Sequence, residues 1–239
     1  MGRYAWRYWG VLLLVLWVPR PGAAAVRCVG DCGGHGAVTL GDLVTMVNIA
    51  LDPAKLTDCE AGDANGDKSI EVDELITAAS NALRGCPALH IGSVAGPAGS
   101  VVQLTVTLNT ASWEVLGTDN EIAFQPDARV AAKPSGVPDC TVNPAIQKGG
   151  TFFLFKPTNC SGDACQSVEA FVTTQFLGTV VPIPTGAQLY TCNVSIAPNA
   201  VASVPLTCTN AEASAAYLSG KSQLLTTSCT DGVVTVVAP

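Results

Sequence analysis

Between residues 63 and 74, oxygen-bearing side chains recur at a spacing of two and then three: Asp63, Asn65, Asp67, Ser69, Glu71 and Glu74. Carboxylate and amide oxygens are hard donors, and a loop that converges six or seven of them suits a calcium ion. A twelve-residue calcium loop places its ligands at positions 1, 3, 5, 7, 9 and 12. Counted from Asp63, those positions hold the six residues above, with Ser69 acting through its carbonyl. Ile70, at position 8, is the apolar residue expected to join this loop to a second one by a short β-bridge. Lys68 departs from the pattern, because position 6 is where glycine usually supplies a positive φ. A side chain there costs on the order of 1 kcal/mol, which should weaken binding without abolishing it. The competing reading is a solvated acidic turn ahead of a helix.

The same pattern stands thirty-two positions earlier in a weaker form. Counted from Asp31, Ala37 falls at position 7, Thr39 at 9 and Asp42 at 12, with Gly36 at position 6. Gly33 at position 3 offers no side-chain oxygen, and His35 at position 5 puts an imidazole where a carboxylate is wanted. Asp31, Ala37, Thr39 and Asp42 therefore form a degenerate second site. One loop keeps the glycine and the other keeps the ligands.

These loops need elements to hold them. Each runs into a segment with apolar residues at helical spacing: Leu43, Val44, Val47 and Leu51 after the first loop, Leu75, Ile76, Ala79 and Leu83 after the second. Pro53 stops the first helix and Gly85 the second. Beyond Cys86-Pro87 the period changes to two. Val102, Leu104, Val106 and Leu108 alternate with Gln103, Thr105 and Thr107, which predicts a half-buried strand. Similar runs lie near 120–125, 151–156, 168–177, 188–196, 203–208 and 233–238. Gly96-Pro97, Pro134-Ser-Gly136, Gly149-Gly150 and Asp231-Gly232 punctuate them as turns. Many short strands with little helix predict an all-β antiparallel sandwich; a barrel has the same sequence pattern.

The duplicated loop-helix of residues 31–51 and 63–83, with leucine directly after position 12 at Leu43 and Leu75, resembles a dockerin, an EF-hand-like calcium module that lacks entering helices. The resemblance implies bound Ca2+, partner binding through the helix faces, and a disulfide joining the two ends of the module, because dockerin termini lie close together. Leu40-Gly41 and Val72-Asp73 replace the hydroxyl pairs common in that family at positions 10 and 11. Residues 89–108, Glu121–Pro126 and Leu189–Ile196 resemble the strands of a cohesin-type sandwich, which implies a jelly roll that binds dockerins. The expected organisation is a signal segment over 1–25, a small all-α dockerin-like module over 26–86, and a cohesin-like β-sandwich over 87–239. The implied partner is a protein or an own-type module.

Composition agrees with export. Arg3 and Arg7, the apolar run Val11–Val18, the breakers Pro19 and Pro21, and Ala23-Ala24-Ala25 read as a cleavable secretory signal, too short to span a bilayer comfortably. A secreted or cell-surface location follows, with no membrane segment after cleavage. All ten cysteines lie beyond it. Their even number, with no Cys-x-x-Cys pair and only two histidines, favours disulfides over zinc. Cys160 and Cys165 are spaced for a local clasp. The four cysteines of residues 28–86 allow three pairings. A net charge of −7, from which cleavage would remove three arginines, excludes a phosphate-backbone partner and suits divalent cations.

No catalytic constellation is legible. No Gly-x-Ser-x-Gly, phosphate loop or His-Glu-x-x-His occurs, and neither His35 nor His90 has a nucleophile nearby. Asp119, Glu121 and Asp127 cluster in sequence as carboxylates can in glycosidases, but Asp127 follows Pro126 in a turn. Trp113, Tyr190 and Tyr217 read as core residues. The function these features imply is a secreted, calcium-binding, non-catalytic interaction or assembly module. The alternative is a carbohydrate-binding accessory protein of extracellular polysaccharide breakdown.

Overall fold

The computed structural model describes residues 28–174, 180–216 and 222–237. The signal segment, Tyr217 and the end of the 168–177 run lie outside the described residues. Two helices come first: α1 (Leu40–Leu51) and α2 (Val72–Arg84). Thirteen strands follow: β1 (Ala88–Ile91), β2 (Val94–Pro97), β3 (Val101–Asn109), β4 (Val115–Ala123), β5 (Ala128–Val130), β6 (Cys140–Val142), β7 (Phe152–Lys156), β8 (Ser167–Val172), β9 (Ala187–Ile196), β10 (Val204–Ala216), β11 (Ser222–Thr226), β12 (Ser228–Thr230) and β13 (Gly232–Val237).

The helices start and stop where the chemistry requires. Thr39 caps α1 in a capping box with Asp42, and α1 ends at Leu51, ahead of Asp52-Pro53. Gly85 follows α2 at φ 83°, and its amide donates to Asn81 O at 2.8 Å. The predicted buried faces need correction. Val44, Val47, Leu51, Ile76 and Leu83 are exposed, and Leu43, Leu75 and Ala79 only half-buried. The small core is instead Met46, Ile49, Ala78, Val38 and Ile70, packed with Cys28, Cys59 and Cys86. Helix α1 is apolar on both sides, so periodicity alone does not choose between them. The disulfides Cys28–Cys86 and Cys32–Cys59 draw the Met46/Ile49 side inward. The implied bond between the ends of this segment is therefore present. The expected β-bridge through Ile70 is not: among the described residues no ladder links it to Val38, and both contribute buried side chains instead.

The β region is a sandwich of two sheets. One has the order β12-β1-β3-β9-β5, with β6 also on β9; the other is β2-β13-β10-β4-β8-β7, with β11 also on β10. The expectation of purely antiparallel pairing is overturned at two places. Strand β1 runs parallel to β12, and β2 parallel to β13. The reason is topological. The first two strands divide between the two sheets, the last two divide the same way, and the ends of the β region meet side by side.

Both crossovers pass through one tight point. A Cβ on Gly232 would stand 2.4 Å from the Gly92 carbonyl oxygen, and a Cβ on Gly92 would stand 2.8 Å from the Thr105 carbonyl oxygen. Only glycine lets these backbones approach so closely. Around this closure the inner face of β3 alternates as predicted, with Leu104, Val106 and Leu108 fully buried; on β9 Tyr190, Cys192, Val194 and Ile196 are buried at the same period, and Leu189 is buried beside a register shift. Asn120 of β4 and Tyr190 of β9 join the sheets through the middle: Asn120 Nδ2 donates to Tyr190 Oη at 2.9 Å. Both are fully buried, and burial pushes the Tyr190 phenol pKa up. Trp113 is also a core residue, 5% exposed. Three more disulfides, Cys140–Cys192, Cys160–Cys165 and Cys208–Cys229, staple this region, and among the described residues no cysteine is free.

Replacing Gly232 by Ala should destabilise the sandwich by about 1–3 kcal/mol, because the obstacle is backbone and cannot rotate away. Urea unfolding checks this, with Gly136→Ala as the comparison for loss of a positive-φ glycine whose Cβ would meet nothing within 4 Å.

Candidate functional site

The second loop is organised by two acidic side chains. Asp63 Oδ1 accepts the amides of Gly66 (2.8 Å) and Asp67 (3.1 Å), and Oδ2 accepts that of Lys68 (2.9 Å). Asn65 Oδ1 accepts Asp67 N, and Asp67 Oδ1 accepts Ser69 N, both at 2.9 Å. Glu74 reaches back from the first turn of α2. Its Oε1 accepts Ala64 N at 2.7 Å and its Oε2 accepts Glu71 N at 3.0 Å. It is 3% exposed. Asp63, Asn65, Asp67 and Glu74 thus share one hydrogen-bonded turn, in which Glu71 and Ser69 take part through their backbone amides. Among the described residues no group of three or more His, Cys, Asp or Glu stands at metal-holding distance. The donor set is nonetheless all oxygen, and both ends of the loop are tied to it, which is the chemistry a hard cation requires.

The first loop follows the same course. Positions 4 and 6 are left-handed in both: Gly34 and Gly36 at φ 66° and 78°, Gly66 and Lys68 at 76° and 70°. Lys68 therefore adopts the strained conformation that its position predicts. Asp31 accepts His35 N and Gly36 N at 2.8 and 2.7 Å, as Asp63 does for its own loop. The difference lies at position 12. Asp42 is one methylene shorter than Glu74. Its Oδ2 accepts only from Thr39, through N at 2.8 Å and Oγ1 at 2.6 Å, and none of its bonds crosses to the start of the loop. The His35 ring lies over Gly33, where an added Cβ would stand 2.2 Å from it. Ala37 is exposed.

The helices that leave these loops carry matched apolar stripes. Leu40, Val44, Val47 and Leu51 lie at i, i+4, i+7 and i+11 on α1. Val72, Ile76, Ala79 and Leu83 lie at the equivalent positions of α2. All but Ala79 are exposed, Leu51 and Leu83 by 81% and 88%. At its far end α2 is anchored to the sandwich. Trp113 Nε1 donates to Gly85 O at 2.9 Å, Ser112 N donates to Arg84 O at 2.9 Å, and the Arg84 guanidinium lies 4.7 Å above the Trp113 ring.

The outer face of the β10-β4-β8-β7 sheet holds a further cluster that the sequence did not reveal. Cross-strand register sets Phe152, Phe171, Asp119 and Glu212 in one row and Leu154, Glu169, Glu121 and Thr209 in the next. Phe152 and Phe171 stack with centroids 5.1 Å apart. Lys156 Nζ pairs with Glu169 at 3.0 Å, Ser167 Oγ donates to Glu121 Oε1, and Asn210 Nδ2 donates to Glu121 Oε2 at 3.2 Å. The Asp119 carboxyl is pushed up to about 6 by burial, then by Glu169 and Glu212, with Lys156 opposing and Glu121 adding. Asp127 is not part of this group; it sits in the turn Gln125–Ala128. The period-two runs Phe152-x-Leu154-x-Lys156 and Glu169-x-Phe171 were the available signal. Only the register shows that they share a surface.

No protein-family model matches this chain, and no curated protein matches it by sequence. Among solved structures, the β-sandwich is similar to cohesins. The cohesin CaCohA2 from Clostridium acetobutylicum is 21% identical and covers 64% of this chain and 91% of its own, with a TM-score of 0.47. The cohesin of the Coh-OlpA-Doc918 complex from Clostridium thermocellum is 12% identical over 64% and 99%, at 0.49. A non-cellulosomal cohesin from Archaeoglobus fulgidus is 15% identical over 64% and 92%, at 0.44. At these scores the likeness adds nothing to the two-sheet architecture read from the hydrogen bonding.

The Asp119 shift sets a pH dependence. Because the folded-state pKa lies above the ordinary carboxylate value, the folded chain takes up a proton that the unfolded chain does not. The associated stability is fully present below about pH 4 and is lost as pH rises through about 6. Asp119→Asn should raise the thermal midpoint at about pH 8 and flatten its dependence between about pH 4 and 7, measured by circular dichroism.

Proposed function

We propose that this chain is a secreted, non-catalytic interaction protein, whose helical module over 26–86 is built around calcium and whose β-sandwich over 87–239 displays a second binding surface. One observation carries the reading: two apolar stripes stand exposed at equivalent positions of α1 and α2, thirty-two residues apart. A small module does not leave seven large apolar side chains in water on two matched faces without a use for them. The dockerin resemblance of residues 31–51 and 63–83 makes that use the binding of a protein partner of the cohesin–dockerin kind.

Calcium is assigned to Asp63, Asn65, Asp67, Ser69, Glu71 and Glu74. It would neutralise their mutual repulsion and draw together the carboxylates that now hold loop amides. Asp31, Ala37, Thr39 and Asp42 form the weaker site. Export is supported by the five disulfides, which persist in oxidising compartments. Among the described residues no helix is long and apolar enough to cross a membrane. All ten cysteines are consumed in structural bonds, so none is a thiol nucleophile, and Asp127 stands apart from Asp119 and Glu121, so the three do not form one carboxylate group.

Calorimetry on the full chain tests the metal assignment. Calcium should bind, and Asp63→Ala or Glu74→Ala should remove the tighter step. Lys68→Gly should strengthen that step about fivefold, through relief of roughly 1 kcal/mol of left-handed strain. An isotherm unchanged by Asp63→Ala and Glu74→Ala would sink the main site. The partner reading is tested by capture from the source organism's secreted proteins. A partner retained by the wild-type chain should be lost with chelator and with Leu51→Glu/Leu83→Glu.

A further inference from the structure

Of the ten asparagines in the chain, only Asn65 is followed by glycine. In such a pair the glycine nitrogen can attack the asparagine side-chain carbon and close a five-membered imide. A side chain on the second residue crowds that attack, and glycine has none. A Cβ built on Gly66 would meet nothing within 4 Å, so the surrounding loop adds no obstacle either. Both residues are exposed, which gives access to the water that must reopen the ring. The first loop lacks this chemistry, because Gly33 stands at the position equivalent to Asn65.

Two acidic side chains restrain the pair. Gly66 N–H donates to Asp63 Oδ1 at 2.8 Å. A carboxylate against that amide opposes loss of its proton, since negative charge would then face negative charge. Asp67 holds the other reactant at both ends. Asn65 Oδ1 accepts Asp67 N at 2.9 Å, and Asn65 Nδ2 donates to Asp67 Oδ2 at 3.0 Å. Attack needs the amide bare and the carboxamide turned onto it, with the reacting atoms about 3–3.5 Å apart. Both sets of hydrogen bonds must break first, so the reaction proceeds only when the loop opens.

We propose that Asn65-Gly66 is a self-modifying site, converted by water without an enzyme to aspartate and isoaspartate, with Asp63 as the residue that restrains it. The Cγ–Nδ2 bond of Asn65 breaks as the bond from Cγ to Gly66 N forms, and ammonia leaves with the Gly66 amide proton. Water then cleaves one of the two ring C–N bonds and leaves a carboxylic acid, which ionises. Nothing is oxidised or reduced. Cleavage at Cγ restores the normal backbone with a carboxylate at position 3. Cleavage at the Asn65 backbone carbon routes the main chain through the side chain, lengthens it by one methylene and breaks the two-residue spacing of the oxygen donors. The conversion follows from the dipeptide and its contacts alone, while its consequence for calcium rests on the calcium reading above. A cation on the Asn65 oxygen holds the carboxamide away from Gly66 and slows the reaction. A loop left empty long enough becomes permanently unable to refill.

The full chain is held at neutral pH and body temperature, with chelator or with calcium, and followed over weeks by intact mass and peptide mapping. With chelator the peptide containing Asn65 should gain about 1 Da, in two forms that chromatography separates. Asn65→Gln should abolish the gain, because its ring would have to be six-membered. Asp63→Ala should speed conversion about tenfold, as loss of a hydrogen bond to a charged acceptor predicts. Ile70→Ala loosens the module's core but leaves the Asp63 bond in place, and should change the rate less than about threefold; circular dichroism shows which variants fold. Calcium should slow conversion at least about fivefold, and the isolated isoaspartate form should bind calcium at least about tenfold more weakly. No gain in the folded chain with chelator, an equal rate in the wild type and Asp63→Ala, or equal acceleration by Asp63→Ala and Ile70→Ala overturns the proposal. A chain that binds calcium yet converts equally fast with and without it overturns the protection by metal. If conversion proceeds as stated while calorimetry finds no calcium uptake by any form, the calcium reading falls and this inference stands.

Discussion

Two glycine backbones crossing between the sheets set the geometry of the β region. At Gly92 the chain leaves the six-stranded sheet for the seven-stranded one, and at Gly232 the last two strands make the same move beside it. The Gly92 carbonyl faces Gly232 so closely that no side chain fits between them. This contact fixes which strands end up parallel. It also holds the first and last strands in register and thereby the order of everything between them. Ser228 reinforces it by donating through both N and Oγ to Pro87 O, each at 3.1 Å. Cys208–Cys229 ties the long central strand β10 to β12. The registers that bring Phe152 beside Phe171 and Asp119 beside Glu212 depend on that closure.

The sandwich then supplies a footing for the helices. Residues 28–86 bury few large side chains, and a core that small rarely suffices without staples. Two disulfides supply them. A third support comes from outside, where Gly85 and Arg84 at the end of α2 meet Trp113. Since Glu74 begins the same helix, the second loop sits on an element whose far end is anchored. Small changes in composition act strongly in such a setting. One methylene separates Glu74 from Asp42, and it decides whether an acidic side chain in the first turn of a helix ties the start of its loop to the helix or only caps the helix end.

Both exposed surfaces follow from charge and burial together. The helical stripes are apolar and flanked by acid, while the sheet face is part apolar and part acid. Acid on both sides sets like charge against like wherever two copies of this chain would meet through these surfaces.

The sequence by itself determined a great deal. The spacing of acidic and amide side chains marked the loops, and the positive φ demanded at Lys68 is present. Pro53 and Gly85 marked the ends of both helices, and the alternation in β3 named Leu104, Val106 and Leu108 as its inner face, because these are local effects of backbone and side chain. Tertiary structure decided the rest. Helix α1 is apolar on two sides, so only the disulfides and Ala78 settle that Met46 and Ile49 face inward while Leu51 does not. Lys148 reads as a surface lysine, yet it is 1% exposed with its ammonium donating to the Val181 carbonyl. The parallel strand pairs and the acidic-aromatic sheet face arise from residues far apart in the chain. Their register is set by closure of the whole sandwich, and no local pattern encodes it.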